Sequence, residues 1–325
     1  MKNKFLIIAV IFVTCIVFTS CDRTEPQIKG LDEIIEVQCG TDLNLENYLN
    51  DILEISDETE EGDKEYKLND LEFEIDCDKE VYNKETGDFN TDHMGEYEVE
   101  LTVKDEAGNK AKKEFKLVLN PLKIEKGFYV YKEESNNDYS IMGYCSYKNT
   151  SKDILKINKI EYEYLDEEDI TLSNYEAVFY SKDYLKNNEI GYSEDSYNDI
   201  KINSKKEMKK MNINIEYEKT EENDDTSLIV GNMEKQKVDE FVNYRAETIV
   251  DNPYNKNVEL YMLLAGMYDK NGKLIGVMNG FGGAEKISAK RRARTYVNWD
   301  FDFNGIFEKT KMVKGSARVV NFEGE

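Results

Sequence analysis

Residues 95–119 read GEYEVELTVKDEAGNKAKKEFKLVL, and this stretch decides the fold around it. Apolar and polar residues alternate on both sides of residues 105–109, so each half predicts a strand with one buried face. The apolar positions are Tyr97, Val99, Leu101, Val103, Phe115, Leu117 and Leu119. Gly108 and Asn109 are residue types that tolerate a positive φ, so the residues between the strands predict the turn of a β-hairpin.

The same stretch resembles a known family. It is similar to the closing hairpin of bacterial immunoglobulin-like domains of the HYR and PKD-like type. Two motifs carry the similarity: a Gly-x-Tyr that begins at Gly95, and the string Thr-Val-x-Asp-x-x-Gly-Asn-x-Ala at residues 102–111. Residues 28–40 resemble the opening strand of these domains. The resemblance covers residues 28–119 and implies a β-sandwich in which Tyr97 acts as a tyrosine corner, with a buried ring and a hydroxyl bonded to nearby backbone.

An acidic insertion, Ser56–Asp70, departs from the family pattern and predicts a long surface loop. Residues 57–62 copy the opening of an EF-hand calcium loop, but Leu68 stands at the twelfth position, where a bidentate Glu is required. We therefore interpret the insertion as a solvated acidic loop and leave its binding of cations open.

The N-terminal segment predicts where the chain works. Lys2 and Lys4 precede an apolar run at residues 5–18, and small residues then lead to Cys21, which is the order of a secretory signal. Its end resembles the lipobox of bacterial lipoproteins, which implies removal of residues 1–20 and attachment of a lipid to Cys21. The alternative is an uncleaved membrane anchor. Both interpretations place the rest of the chain on the outer face of the cell membrane.

The composition narrows the class of partner. The chain carries 67 acidic and 43 basic residues, a formal net charge of −24. A surface of this charge repels nucleic acid and anionic lipid headgroups, so we expect neither as a partner. The abundance of Lys, Asn, Ile, Glu and Tyr resembles that of low-GC Gram-positive proteins.

Beyond the signal the cysteines are Cys39, Cys77 and Cys145, which allow at most one internal disulfide. Cys39 and Cys77 lie in the same predicted domain and could form a bridge, but we favour the alternative that both are buried as small apolar residues. No spacing among the cysteines suits zinc.

Residues 122–325, which follow the boundary marked by Asn120 and Pro121, contain an internal duplication. A strand, a turn and a second strand follow one another twice, and each second strand ends at an Asp. These elements lie at residues 139–147, 148–151 and 159–166 in the first copy and at 242–250, 251–253 and 258–269 in the second. Later in the two copies we match Ile202 with Ile287.

The repeated unit is similar to the FxLYD-type β-sandwich domains of exported Gram-positive proteins. The second copy fits the Leu-Tyr-Asp and Gly-Lys pattern of that family at Met267, Tyr268, Asp269, Gly272 and Lys273. Neither copy has the Phe of the family, because Tyr162 and Ala265 stand there. The resemblance implies two sandwich units, at residues 122–217 and 233–325, joined by an acidic linker at residues 218–232.

Together these patterns predict an all-β fold of tandem immunoglobulin-like β-sandwich domains after an N-terminal lipoprotein signal peptide. A short polar tether, residues 21–27, connects the signal to the first domain, residues 28–119.

The first copy has more residues than the second between its turn and its matched isoleucine. A group of aromatic residues lies in this additional stretch. The group comprises Tyr175, Phe179, Tyr180, Tyr184, Tyr192 and Tyr197. A long loop on a rigid sandwich is a frequent place for binding, and tyrosines among polar residues suit sugars and proteins. The alternative is an extra strand pair or short helix that packs these rings on the sheet.

Few residues of the chain point to catalysis. His93 is the only histidine, and the sequence contains no nucleophile elbow, phosphate loop or Cys-x-x-Cys. We therefore predict no cofactor and no metal site. The alternative is that two of the 67 acidic residues form a carboxylate pair that hydrolyses glycosidic bonds.

One basic cluster stands out in the acidic chain. It consists of Lys290, Arg291, Arg292 and Arg294. The cluster could contact an anionic wall polymer or the membrane surface. It could also be an edge strand whose charges discourage aggregation.

We therefore predict a non-enzymatic, lipid-anchored protein on the outer face of the cell membrane. Besides the membrane, which it reaches through the lipid on Cys21, its expected partner is a cell-wall glycan or an extracellular protein. The competing function is a wall-associated hydrolase with an unidentified carboxylate pair, and a spacer without a ligand is a variant of the first.

Overall fold

The computed structural model describes residues 24–59, 62–132, 139–195, 200–202, 208–221, 226–237, 244–281, 286–299 and 305–324. The signal peptide, the lipid-attachment residue Cys21 and Tyr197 lie outside the described residues. The chain divides between Asn120 and Pro121 into two compact units, which we call unit 1 and unit 2. In the part of the chain that the structure describes, no helix has the length and apolar character needed to cross a bilayer.

The described part of unit 1 contains strands and one α-helix. Its elements are β1 (Gln27–Lys29), β2 (Ile34–Gln38), β3 (Leu43–Asn44), α1 (Leu45–Ile52), β4 (Glu54–Thr59), β5 (Gly62–Tyr66), a 3-10 turn (Leu68–Asp70), β6 (Glu72–Asp76), β7 (Asp88–Phe89), β8 (Gly95–Lys104) and β9 (Lys110–Asn120). Strands β2, β9, β8 and β6 form one sheet in that order, and β1, β4 and β5 form another. The predicted all-β class is confirmed, because sheets make up nearly all of the regular structure.

The hairpin predicted at residues 95–119 is confirmed. Strands β8 and β9 are antiparallel with Lys104 opposite Lys110. Gly108 has the positive φ of 96° that the turn requires. Asn109 has a different role from the one its residue type suggested, because its backbone and side-chain nitrogens each donate to the Asp105 carboxylate at 2.8 Å. The turn is therefore closed by a carboxylate as well as by glycine.

Tyr97 departs in one respect from the predicted tyrosine corner. Its ring is half-buried rather than buried, and it packs edge-on against Phe89 with the ring centroids 5.4 Å apart.

The long loop predicted at Ser56–Asp70 is wrong. Strands β4 and β5 form a hairpin in which Asp57 lies opposite Lys64, and the 3-10 turn follows. The segment is held against the core because Ile55 and Leu68 are fully buried. Local acidity concealed this pattern, since only a few apolar residues anchor the segment.

The sequence analysis missed helix α1. Asn44 caps it by accepting a hydrogen bond from the Asn47 backbone nitrogen at 3.0 Å. Leu45 and Leu49, one turn apart, are both fully buried. A capping residue before an i, i+4 leucine pair was the available signal.

In unit 2 the described residues form strands and one helical turn. The strands of its first half are β10 (Leu122–Lys132), β11 (Tyr139–Asn149), β12 (Ile154–Leu165), β13 (Thr171–Glu176), β14 (Phe179–Tyr180), β15 (Tyr184–Leu185), β16 (Ile190–Asp195), β17 (Lys201–Ile202) and β18 (Lys210–Thr220). Its second half contains β19 (Ser227–Val230), β20 (Glu234–Lys237), β21 (Tyr244–Asp251), β22 (Val258–Tyr268), β23 (Leu274–Phe281), β24 (Arg292–Trp299), α2 (Ile306–Lys309) and β25 (Met312–Phe322). We call β10–β18 copy 1 and β19–β25 copy 2.

The two copies have the same strand pairing. In copy 1, β11 pairs with β10 and β16, which we call its first sheet, and β12 pairs with β13 and β18, its second sheet. In copy 2, β21 pairs with β20 and β24, its first sheet, and β22 pairs with β23 and β25, its second sheet. All of these pairs are antiparallel.

A buried asparagine marks the same place in both copies. The side-chain nitrogen of Asn149 donates to the Asp153 and Leu185 carbonyls at 2.7 and 3.0 Å. That of Asn252 donates to the Lys256 and Ile287 carbonyls at 2.9 and 3.1 Å. The counterpart of Ile287 is therefore Leu185, and the predicted match with Ile202 is wrong.

The corrected match removes the length difference between the copies. Asn149 and Leu185 are 36 residues apart, and Asn252 and Ile287 are 35 apart. Ile202 instead pairs with Tyr139 at the other end of β11. The first copy therefore carries no extra loop at the predicted place.

A second shared feature is the turn after β12 and β22. The Asp166 carboxylate accepts from the backbone nitrogens two and four residues on, at 2.8 and 2.9 Å. The Asp269 carboxylate does the same at 2.8 and 3.0 Å. The fourth residue of each turn has a positive φ, 60° at Asp169 and 76° at Gly272.

The segment predicted as an acidic linker, residues 218–232, contains regular structure. Strand β18 extends to Thr220, and β19 pairs with β21 and β25. Leu228 of β19 is buried, so this strand belongs to the core of copy 2. In the predicted tether, Pro26 is buried and Thr24 donates to the Glu58 carbonyl at 2.7 Å.

The two copies share one apolar layer. The outward side of the first sheet of copy 1 packs on the second sheet of copy 2, and both contribute to a single core cluster. The hydroxyls of Tyr192 and Tyr268 are 3.0 Å apart across this contact. A Cβ on Gly266 would lie 2.3 Å from the Tyr192 ring, so the approach of the two copies requires glycine there.

Candidate functional site

The aromatic residues singled out from the sequence do not form one exposed surface. Phe179 and Tyr192 are buried, and Tyr175, Tyr180 and Tyr184 are half-buried on the separate strands β13, β14 and β15. Burial, together with Tyr268, raises the pKa of Tyr192 far above its ordinary value. At the described positions of this group the structure therefore has the alternative arrangement, in which strands hold the aromatic rings against the sheet.

A polar cluster beside these residues joins the two copies. Arg318 of β25 donates to the Asp183 carboxylate and to the Tyr180 carbonyl, both at 2.9 Å. The Lys182 ammonium is buried, donates to the Ser227 hydroxyl at 2.6 Å and lies 3.4 Å from the Glu189 carboxylate. These charges are paired with one another, so their role is to hold copy 1 to copy 2.

A groove of about 520 Å³ opens next to this cluster. It is lined by Lys182, Lys186, Glu189, Ser227, Leu228, Ile229, Pro253 and Tyr254. The charged groups of its wall are already used in contacts within the protein, and we do not assign it a ligand.

Other buried polar groups also serve the fold. The Tyr164 hydroxyl donates to the Asp195 carboxylate at 2.8 Å. Burial raises the pKa of the Cys145 thiol to about 12, so it stays protonated at neutral pH.

The structure forms no disulfide among the described cysteines. Among the described residues, no three or more His, Cys, Asp and Glu side chains come together as metal ligands would. His93 lies on the surface.

The outward side of the first sheet of copy 2 is an exposed surface of mixed polarity, which we call the arginine face. On β21, Ala246, Thr248 and Val250 are buried, so the alternate residues point outward. The arginine face comprises Ile229, Glu234, Gln236, Arg245, Glu247, Ile249, Asp251, Arg292, Arg294, Tyr296 and Asn298, placed together by the strand register.

Two of the three arginines on this face are paired. The Arg245 guanidinium lies 3.2 Å from the Glu247 carboxylate and 5.3 Å from the centroid of the Tyr296 ring. Arg292 lies 2.9 Å from the Asp251 carboxylate. Arg294 is exposed, lies opposite Ile249, and within the described residues it makes no ion pair. One guanidinium is therefore available to a ligand.

An apolar stripe crosses the arginine face. Its three side chains, Ile229, Ile249 and Tyr296, are 58%, 47% and 42% exposed. Ile229 lies opposite Asp251, and Tyr296 lies opposite Glu247. Each is therefore a diagonal neighbour of Ile249, at a distance that large side chains span. A ligand on this face would cover apolar surface and meet Arg294 at once.

The predicted basic cluster contributes only part of this face. The Lys290 ammonium donates to the Pro253 carbonyl. Strand β24 pairs with β21 alone among the described strands, so it is the edge strand that was one of the two interpretations. The sequence analysis missed Ile249 and Tyr296, and their outward positions in two alternating segments were the available signal.

Comparisons with known proteins give little further guidance. No protein-family model and no curated protein matches the chain. One similar solved structure is described as CBM51-2 in complex with GlcNAc and INT domains from Clostridium perfringens ZmpB, with 9% identity over 93% of this chain and 45% of that chain and a TM-score of 0.21. Another is described as the M60 catalytic domain with the CBM51-1 and CBM51-2 domains of the same protein, with 10% identity over 91% of this chain and 44% of that chain and a TM-score of 0.18. The chain thus spans less than half the length of these structures.

Proposed function

We propose that this protein is a lipoprotein of the outer face of the cell membrane that binds or scaffolds an extracellular or cell-wall partner without catalysing a reaction. A lipid on Cys21 tethers it. In this proposal unit 1 is an HYR/PKD-like spacer, and the FxLYD-like copies of unit 2 carry the recognition surface.

The observation that supports this proposal most is the arginine face. Tyrosine and arginine are the residue types that carry most of the binding energy in protein interfaces. Here they stand beside exposed isoleucines on a rigid sheet, and one arginine makes no ion pair with any described residue. A flat surface of this composition suits an extended polymer or a protein better than a small substrate.

The tethering part of the proposal has its own test. Cells that express the full chain are labelled with radioactive palmitate, and the Cys21→Ala variant is the control. We expect the label in the membrane fraction of the wild type and none in the variant. Equal labelling of both, or recovery of the wild type in the cytosol, contradicts lipid attachment at this residue.

The binding part is tested by capture of wall glycans and surface proteins on immobilised mature protein, residues 22–325. We expect Tyr296→Ala with Arg294→Glu to lose at least about tenfold of the captured partner, because both groups lie on the arginine face. Lys270→Glu is the matched charge control, since Lys270 is exposed in the turn after β22.

Tyr175→Ala with Tyr184→Ala tests the aromatic group of copy 1 in the same assay. We expect it to capture as the wild type does, because both rings are partly buried on strands. Capture that survives the arginine-face substitutions but not these would refute the arginine face as the recognition surface.

A further inference from the structure

The duplication identifies the surface of copy 1 that corresponds to the arginine face of copy 2. Strands β20, β21 and β24 of copy 2 correspond to β10, β11 and β16 of copy 1, as their pairings show. The backbone nitrogen of Asn149 donates to the Glu189 carbonyl at 3.1 Å, and that of Asn252 donates to the Arg291 carbonyl at 2.9 Å. These two bonds fix the start of β16 and β24 at equivalent places.

In copy 1 this surface is covered by another sandwich. Tyr129, Met142 and Tyr144 are buried on it, and Tyr192 packs against Gly266 of copy 2. The Tyr129 and Tyr144 rings stack with their centroids 4.9 Å apart. The outward side of a first sheet is therefore a surface that this fold uses for docking.

We propose that the arginine face is covered by the same face of a second copy of this chain, related by a two-fold axis. This inference rests on the proposed function and names the partner of the surface assigned there. It makes the protein a scaffold that links its own chains.

The head-to-tail arrangement of the two internal copies does not extend to a second chain. It would place the second sheet of copy 1 on the arginine face. Along β12 and β18 that sheet turns outward the polar pairs Lys156–Glu218, Lys159–Glu216, Glu161–Asn214 and Glu163–Asn212. Among the exposed large apolar side chains of the described residues, only Leu172 lies on a strand of this sheet, so the sheet offers the stripe of Ile229, Ile249 and Tyr296 little apolar surface to bury and acts as a polar cap.

The arginine face matches itself better. Its charges balance, because Arg245, Arg292 and Arg294 are offset by Glu234, Glu247 and Asp251. Two chains with a net charge of −24 each repel one another, and a locally neutral face is where contact costs least. A two-fold axis doubles every contact, so the apolar stripes cover one another and each Arg294 meets the acidic groups of the partner.

The size of the face sets the strength of the dimer. Strand β21 has eight residues. The face is three strands wide, because β19 and β20 share one edge of β21, so with a strand spacing of about 4.8 Å and a rise of about 3.3 Å per residue it measures about 400 Å² per chain. Stable complexes bury about 800 Å² per partner, so we expect a weak dimer.

Sedimentation equilibrium of residues 22–325 tests the dimer over about 1–300 µM. We expect the weight-average mass of the wild type to approach that of a dimer, and Ile249→Lys to stay monomeric at least about tenfold higher in concentration. Lys270→Glu should dimerise like the wild type. A wild type that stays monomeric at about 300 µM, or an Ile249→Lys variant that dimerises equally, overturns the inference.

Cysteine cross-linking tests the symmetry. Under mild oxidation Ile249→Cys should form a disulfide-linked dimer, because Ile249 lies in the middle of the face, where a two-fold axis brings identical positions together. Asn214→Cys, on the second sheet of copy 1, should not. A link that forms only when the two variants are mixed indicates the head-to-tail arrangement and overturns the two-fold one.

These outcomes separate the inference from the proposed function. If the wild type is monomeric while capture of another partner still depends on Tyr296 and Arg294, the dimer is wrong and the proposed function stands. If neither self-association nor capture depends on these residues, both are wrong.

Discussion

Copy 1 and copy 2 of unit 2 have the same fold but expose different sides of it. Both keep a buried asparagine at the end of their first long strand, Asn149 and Asn252. On the outward side of the first sheet, however, the buried Tyr144 and Tyr192 of copy 1 correspond to Glu247 and the exposed Arg294 of copy 2. Hydrogen bonds inside each sandwich therefore hold the fold constant, while the outward residues decide what each copy contacts.

The largest expected effect concerns pH and the buried tyrosines of unit 2, most of which lie in copy 1. Burial raises the pKa of Tyr147, Tyr162, Tyr164 and Tyr192 in copy 1 far above the ordinary value near 10. The unfolded chain loses these protons near pH 10 and the folded chain keeps them, so stability is full below about pH 10 and falls above it. We expect the free energy of unfolding to fall by about 1.4 kcal/mol per pH unit for each such tyrosine.

Urea denaturation of the mature protein between about pH 8 and pH 11, with phenolate absorbance recorded in parallel, measures this effect. The buried tyrosines should ionise only as the protein unfolds. If all tyrosines ionise near pH 10 while the free energy of unfolding stays constant, copy 1 does not bury them as described.

The next effect tests whether the two copies are equivalent. Asn149→Ala and Asn252→Ala each remove side-chain hydrogen bonds to buried backbone, among them the bond to the Leu185 carbonyl in copy 1 and the bond to the Ile287 carbonyl in copy 2. We expect each to lower the free energy of unfolding by about 2–4 kcal/mol, measured by urea denaturation. Asn214→Ala, on an exposed strand position, is the control. A large loss in one copy only would show that the shared bonds do not hold the two sandwiches equally.

The parts of this fold that could be predicted from the sequence are those set by neighbours in the chain. The alternation around Asp105 predicted the hairpin of unit 1, and the aspartates at 166 and 269 marked the ends of two strands of unit 2, because a turn is closed by residues within four positions. Helix α1 was equally local, and it was missed because the acidic surroundings of Leu45 and Leu49 hid a short apolar repeat.

What could not be predicted depends on distant partners. Matching Ile202 with Ile287 compared residue types, whereas the true counterpart, Leu185, is defined by its bond to Asn149. The alternation of β11 predicts one buried face, yet both faces are buried because copy 2 covers the second. The arginine face is assembled from β19, β20, β21 and β24, so no single stretch of sequence displayed it.

A smaller effect tests the contact between the copies. Gly266→Ala places a methyl group against the Tyr192 ring, and we expect a loss of about 1–3 kcal/mol in the free energy of unfolding. The same strand position in copy 1 is Glu163, which points outward, so Glu163→Ala should leave stability nearly unchanged. Urea denaturation of both variants measures the difference. Equal losses would mean that the second sheets of the two copies are equally free, and the stacking described for unit 2 would be wrong.

The smallest effect lies on the arginine face itself. In dilute solution Arg294→Glu should leave the free energy of unfolding unchanged within error, because the side chain is exposed and within the described residues forms no ion pair. A dimer stabilises the folded chain by mass action, so the wild type should become more stable as its concentration rises. Thermal unfolding at about 2 µM and about 200 µM should therefore separate the two proteins only at the higher concentration. A variant that is already destabilised at the lower one would place Arg294 in the fold of copy 2 rather than on its free surface.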